Sequence, residues 1–150
     1  MNRHSQDTTK LQLAGKLSDE HDGLEQWFLQ LAERAATGDP RECDALWSNF
    51  ARKLENHMAF EEREIFPGYS QKGVVEASIV QLLLAEHAAL REQLTTLGVD
   101  LQLHLTNAPV INAFIARLRD HARRERETVY PWLKARKQSA AAAADTGAAG

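Results

Sequence analysis

The sequence predicts an all-α fold of four helices arranged as two similar helical hairpins. Glycine and proline gather at Gly38 to Pro40, Pro67 to Gly73, Gly98 and Pro109. Between them the apolar residues recur at helical rather than alternating spacing, over stretches long enough for bundle helices. The second half of the chain also repeats the first. Composition agrees: 150 residues with 43% hydrophobic and 26% charged side chains, 8 Gly and 4 Pro, suit one compact domain.

The first helix is expected from about Ser18, a good N-cap, with Leu17, His21, Leu24, Phe28, Leu31 and Ala35 on one stripe. A single histidine interrupts that apolar row. The second opens at Asp39-Pro40-Arg41-Glu42, where Asp caps, Pro is pre-set for the first turn and Glu42 completes a capping-box-like pattern. Its inward stripe reads Cys43, Leu46, Trp47, Phe50, Leu54, His57, Glu61 and Ile65, so an apolar face acquires a histidine and a carboxylate one turn apart. Pro67 and Gly68 are expected to end it. The third helix, from about Val74 to Leu97, carries Ile79, Leu83, His87, Leu90 and Leu94. The fourth begins near Pro109 and carries Val110, Phe114, Leu118, His121, Glu125, Val129 and Trp132. The predicted division is an arm over 1–16, the bundle over 17–137 and a low-complexity tail over 138–150.

The repeat is visible residue by residue. Glu20-His21-Asp22-Gly23-Leu24 resembles Glu86-His87-Ala88-Ala89-Leu90, and NHMAFEEREIFP (56–67) matches DHARRERETVYP (120–131) without a gap at His, Glu and Pro. The interval from His21 to His57 nearly equals that from His87 to His121, and both suit a helix, a loop and a helix back.

An imidazole or carboxylate buried without a partner costs about 1–3 kcal/mol, so His21, His57, Glu61, His87, His121 and Glu125 on inward stripes require compensation. One or two metal ions on the bundle axis would satisfy all of them together. With Glu61 and Glu125 bridging and two histidines on each ion, a dinuclear centre keeps open positions for dioxygen, nitric oxide or peroxide. Two divalent ions then carry more positive charge than two carboxylates cancel, which attracts hydroxide or another anion. The single Cys43 provides no thiolate cage, and a nitrogen and oxygen ligand set suits two iron ions, with manganese or zinc as alternatives. Either His-x-x-x-Glu pair alone is a common surface arrangement worth a few tenths of a kcal/mol. Recurrence of the pair in register, with one more His upstream in each half, is what favours ligation.

Other features have plainer expectations. Trp27, Trp47, Trp132, Phe28, Phe50 and Phe114 fit a packed core, Arg117 to Arg126 a solvated face and Cys43 simple packing, while His4 and His104 stand outside the pattern. Glu62 and Glu127 could orient ligands from outside, but a surface position is expected for both. A net charge of −3 gives no basic excess for nucleic acid, and no signal sequence or membrane span is visible, so a cytoplasmic location without nucleic-acid or membrane partners is expected.

The order His21, His57-x-x-x-Glu61, His87, His121-x-x-x-Glu125, with Pro67 and Pro131 following the two acids, resembles the hemerythrin-like HHE cation-binding domain over about 17–135. The resemblance implies an up-down-up-down four-helix bundle around a non-haem di-iron centre, with the four histidines as terminal ligands and the two glutamates as bridges. Oxygen-carrying relatives have His-x-x-x-His on the third helix, whereas His87 has Leu83 and Arg91 at that spacing. The chain is therefore more similar to members with four histidines and two carboxylates, implicated in oxygen or iron sensing, nitric oxide response and iron-sulfur cluster repair. The repair proteins carry N-terminal cysteines that have no counterpart here, and ferritin-like bundles use Glu-x-x-His instead. The expected function is binding of O2, NO or peroxide for sensing, scavenging or iron handling. The alternatives are a di-iron redox enzyme of peroxidase or nitric oxide reductase type, a cluster-repair protein, or a metal-free structural or interaction bundle. Turnover and homo-oligomerisation stay open.

Overall fold

The computed structural model describes residues 16, 17, 19–31, 33, 34, 40–103 and 108–135. Among the described residues every regular element is helical and there is no strand. Residues 1–15 of the arm, the tail, Ser18, Ala35, Asp39 and His104 lie outside them. Helix α1 comprises 19–31, with 16–17 and 33–34 also helical. Helix α2 spans Pro40–Phe60 and runs into a π-helical turn, Glu61–Ile65, followed by the short α3, Phe66–Ser70. Helix α4 is Val74–Gln102, α5 is Ala108–Glu127, and α6 covers 129–135. No helix among the described residues is long and apolar enough to cross a membrane.

Two expected boundaries are overturned. Pro67 and Gly68 do not stop the second helical run, which continues to Ser70. Proline lacks a donor and its ring clashes with the carbonyl four residues back, but the π turn absorbs the misfit by bonding the Phe66 N–H to the Glu61 carbonyl, five residues back. In the second half Pro131 is accommodated differently. The helix breaks at Thr128, whose N–H reaches the Glu125 carbonyl at 3.3 Å, and resumes over 129–135. Nor does Gly98 end the third helix. It lies inside α4, where the missing side chain admits Trp47 of α2: a Cβ there would stand 3.0 Å from the indole Nε1.

Among the described residues most buried apolar side chains fall into two clusters. One joins Leu24, Phe28 and Leu31 of α1 with Phe50, Leu54 and Met58 of α2, Leu90, Leu94 and Leu97 of α4, and Phe114, Ile115 and Leu118 of α5. The other joins Leu17, Ile65, Phe66, Tyr69, Val80, Leu83, Val129, Tyr130 and Leu133. Along each of the four long helical runs the predicted polar residues fall between the two clusters: His21 between Leu17 and Leu24, His57 and Glu61 between Leu54 and Ile65, His87 between Leu83 and Leu90, His121 and Glu125 between Leu118 and Val129. At about 1.5–3 kcal/mol per fully buried large apolar side chain, these clusters hold the polar layer together from two sides. The predicted stripes are buried except at half-buried Leu46, Trp47, Ile79, Val110 and Trp132, and Val80 takes the place expected of Ile79.

Candidate metal centre

All six residues singled out from the sequence converge. His21, His57, His87 and His121 are 3%, 4%, 0% and 1% exposed, and Glu61 and Glu125 are fully buried. They fall into two overlapping groups, His21, His57, Glu61 and Glu125, and Glu61, His87, His121 and Glu125, each with one potential ligand atom per residue within 4.8 Å of the others. Both carboxylates belong to both groups, and each group holds its own pair of histidines. The His57 and His21 Nε2 atoms are 3.1 Å apart, and those of His87 and His121 3.0 Å. Glu61 Oε1 lies 3.2 Å from His57 Nε2, and Glu125 Oε2 lies 3.4 Å from His21 Nε2, while Glu125 Oε1 touches His121 Nε2.

Three further carboxylates fix which ring nitrogens face inward. His57 Nδ1 contacts Glu20 Oε2 at 2.7 Å, His121 Nδ1 contacts Glu86 Oε2 at 2.7 Å, and His87 Nδ1 contacts Glu62 Oε1 at 3.0 Å. The bond with His57 holds Glu20 below the ordinary carboxylate range against its partial burial. For Glu62 the Arg91 guanidinium is the larger cause and His87 adds to it, with Nη1 and Nη2 of Arg91 at 2.7 and 3.0 Å from the two oxygens. An ionised carboxylate only accepts, so each of these imidazoles donates from Nδ1 and turns the Nε2 lone pair inward.

The interior therefore collects electron pairs with few protons to share. Among the described residues, Glu61 Oε1, Glu125 Oε1 and His21 Nδ1 are buried without a hydrogen-bond partner. Glu125 is held well below the usual carboxylate range: burial opposes its charge, but Glu61, His121, His21 and His87 together outweigh burial. The same contest raises His57, where burial disfavours the cation and Glu20 and Glu61 favour it, to about 10. Without a metal, protons must take the positive charge that this cluster demands. Imidazole nitrogens and carboxylate oxygens directed at one another, with orphaned acceptors between them, fit one or two cations with nitrogen and oxygen ligands.

Tyr130 closes one side of the cluster. Burial and the nearby Glu125 and Glu61 charges push its hydroxyl upward, so it stays protonated and donates to Glu61 Oε2 at 3.0 Å. Its counterpart in the first half is Phe66, stacked on His87 with ring centroids 5.3 Å apart.

Sequence reasoning missed Glu20, Glu86 and Tyr130 and placed Glu62 on the surface. The signal for the first two was present in the duplicated Glu-His dipeptide. Their side chains are 38% and 16% exposed, and such flanking acids read as solvent-facing in a periodicity pattern. Glu127 is exposed as expected, and Cys43 is buried.

Residues 13–142 match the hemerythrin HHE cation binding domain, and the chain belongs to that family. Comparison with curated proteins and with solved structures gives no match.

Proposed function

We propose that this hemerythrin HHE family chain is a non-haem di-iron protein whose centre takes up a small ligand, O2, NO or peroxide, for sensing, scavenging or iron handling. His21 and His57 would hold one ion and His87 and His121 the other, with Glu61 and Glu125 shared. The bundle over 17–137 would follow an up-down-up-down course through two hairpins. Alternation of the two apolar clusters along successive helical runs supports that course. The reading rests chiefly on one observation: Nδ1 contacts to Glu20, Glu62 and Glu86 turn three Nε2 lone pairs toward two buried, shared carboxylates.

Iron bound there would supply redox chemistry and coordination sites open to a diatomic ligand, since the protein offers each ion two nitrogens and two carboxylates. The protein's own contributions are mechanical and electrostatic. Glu20, Glu62 and Glu86 orient the imidazoles and raise their basicity. The apolar clusters on both sides keep water from competing for the centre, and the Tyr130 hydroxyl holds one oxygen of Glu61 while leaving the other for an ion.

Elemental analysis combined with optical spectra tests this reading. Protein expressed in iron-replete medium should carry about two irons per chain. The anaerobic ferrous form should develop near-ultraviolet and visible charge-transfer bands on exposure to air or nitric oxide. Full iron with no spectral response would overturn the ligand-binding role. Recovery far below one ion per chain would overturn the metal role altogether.

A further inference from the structure

We propose that the two cation positions are unequal: the His21/His57 position holds its ion more weakly because the chain puts Arg126 where the other half has Glu62. This rests on the dinuclear reading above and adds an order of filling. At the His87/His121 position both imidazoles have an outer acceptor, Glu62 at 3.0 Å and Glu86 at 2.7 Å. At the other position His57 has Glu20 at 2.7 Å, but His21 Nδ1 is buried with no partner among the described residues.

The duplication accounts for the missing acceptor. Aligning His57-x-x-x-Glu61 with His121-x-x-x-Glu125 puts Glu62 opposite Arg126, and aligning Glu20-His21 with Glu86-His87 puts Arg91 opposite Glu25. Arg126 turns its half-exposed guanidinium toward Asp22, at 3.6 Å, and has no lone pair to offer an imidazole N–H. The exchange of sign extends to the surrounding ion pairs. Arg91 bonds Glu55 at 2.9 Å, and at the corresponding positions Glu25 receives Arg119 at 2.6 Å. Arg91 clamps the acid at position 62, whereas Glu25, at the position corresponding to Arg91, has no guanidinium to clamp one at 126. The surroundings of His21 thus differ from those of His87 at three paired positions, 126 against 62, 25 against 91 and 119 against 55, and supply no acceptor among the described residues. An unanchored imidazole is free in tautomer and orientation and is a poorer base, and outer partners of this kind are worth about 10–100-fold in metal affinity.

Anaerobic equilibrium dialysis of the metal-free protein against ferrous ion tests the inequality without any assay of activity. Two steps are expected, separated by about 10–100-fold in free metal. Arg126→Glu should tighten the weaker step by about tenfold or more and leave the tighter one in place, while Glu62→Ala should move the tighter step toward the weaker. Arg126→Ala and Arg123→Glu are the controls. The first removes the guanidinium without adding an acceptor, and the second makes the same charge change at another exposed position; both should leave the steps where they are. Coincident steps in the unmodified protein, or equal tightening by Arg123→Glu and Arg126→Glu, would overturn the proposal while leaving the dinuclear reading intact. No binding by unmodified protein of native helical content would instead overturn the dinuclear reading.

Discussion

Three of the four imidazoles in the polar layer are held at both nitrogens, one facing inward and one bonded outward, and only the inward placement is legible in a sequence. That placement is legible because a histidine or glutamate that interrupts an apolar stripe twice in register has no inexpensive explanation other than a shared partner. The outward bond is not: Glu20, Glu62 and Glu86 flank the stripe and are partly exposed, so their periodicity is that of a solvated face. Only the fold shows that they end on buried ring nitrogens. Replacement of one inward residue therefore has a specific expected signature. His57→Ala or Glu61→Ala should lower the iron content. Either should also remove most of the metal-linked stabilisation, about 2.7 kcal/mol when free metal is a hundredfold above its dissociation constant. Metal analysis and thermal melts with and without iron check this, with His104→Ala, outside the repeat, expected to do neither. Equal loss in all three variants would mean general fragility rather than ligation.

At the scale of elements, the four helical runs were readable from spacing, and the failures were all of punctuation. Proline and glycine read as stops because each weakens a helix locally, yet tertiary contacts override both. At Pro67 the π turn keeps the run going, which lets Phe66 stack on His87 and Tyr69 pack against Trp132, with ring centroids 5.5 Å apart. At Gly98 the helix continues, and the missing side chain leaves room for the Trp47 indole against that face. Two glycines in helices should accordingly respond in opposite directions. Gly23 of α1 is exposed, and an added Cβ would meet nothing within 4 Å, so Gly23→Ala should stabilise by up to about 1 kcal/mol through helix propensity alone. Gly98→Val would drive a branched side chain into Trp47 and should cost on the order of 1–3 kcal/mol through overpacking. Urea unfolding of both variants measures the difference. A Gly98→Val protein as stable as the parent would show that α2 and α4 can separate at no cost.

For the whole molecule, the polar layer makes stability depend on which positive charge occupies it. In the metal-free chain that charge is a proton. His57 is raised from an ordinary value of 6.5 to about 10, so its protonation adds stability that is fully present below 6.5 and disappears as pH rises toward 10. The metal-free melting temperature should therefore fall across that window. In the loaded chain the same nitrogens must be free of protons to bind an ion, so binding strengthens with pH and uptake releases protons to the solvent. At fixed free metal the loaded protein should hold its melting temperature or gain over the neutral part of that range, and the two curves should diverge. On the acid side both forms should weaken together, because Glu20, Glu62 and Glu125 are held below their ordinary values, and the stability they add is lost as they protonate. Melting curves at several pH values, with proton release followed in weakly buffered solution, test both arms. Parallel curves for the two forms, with no protons released on loading, would mean that cation and proton do not compete for the imidazoles, and the electron pairs converging between the two apolar clusters would need another explanation.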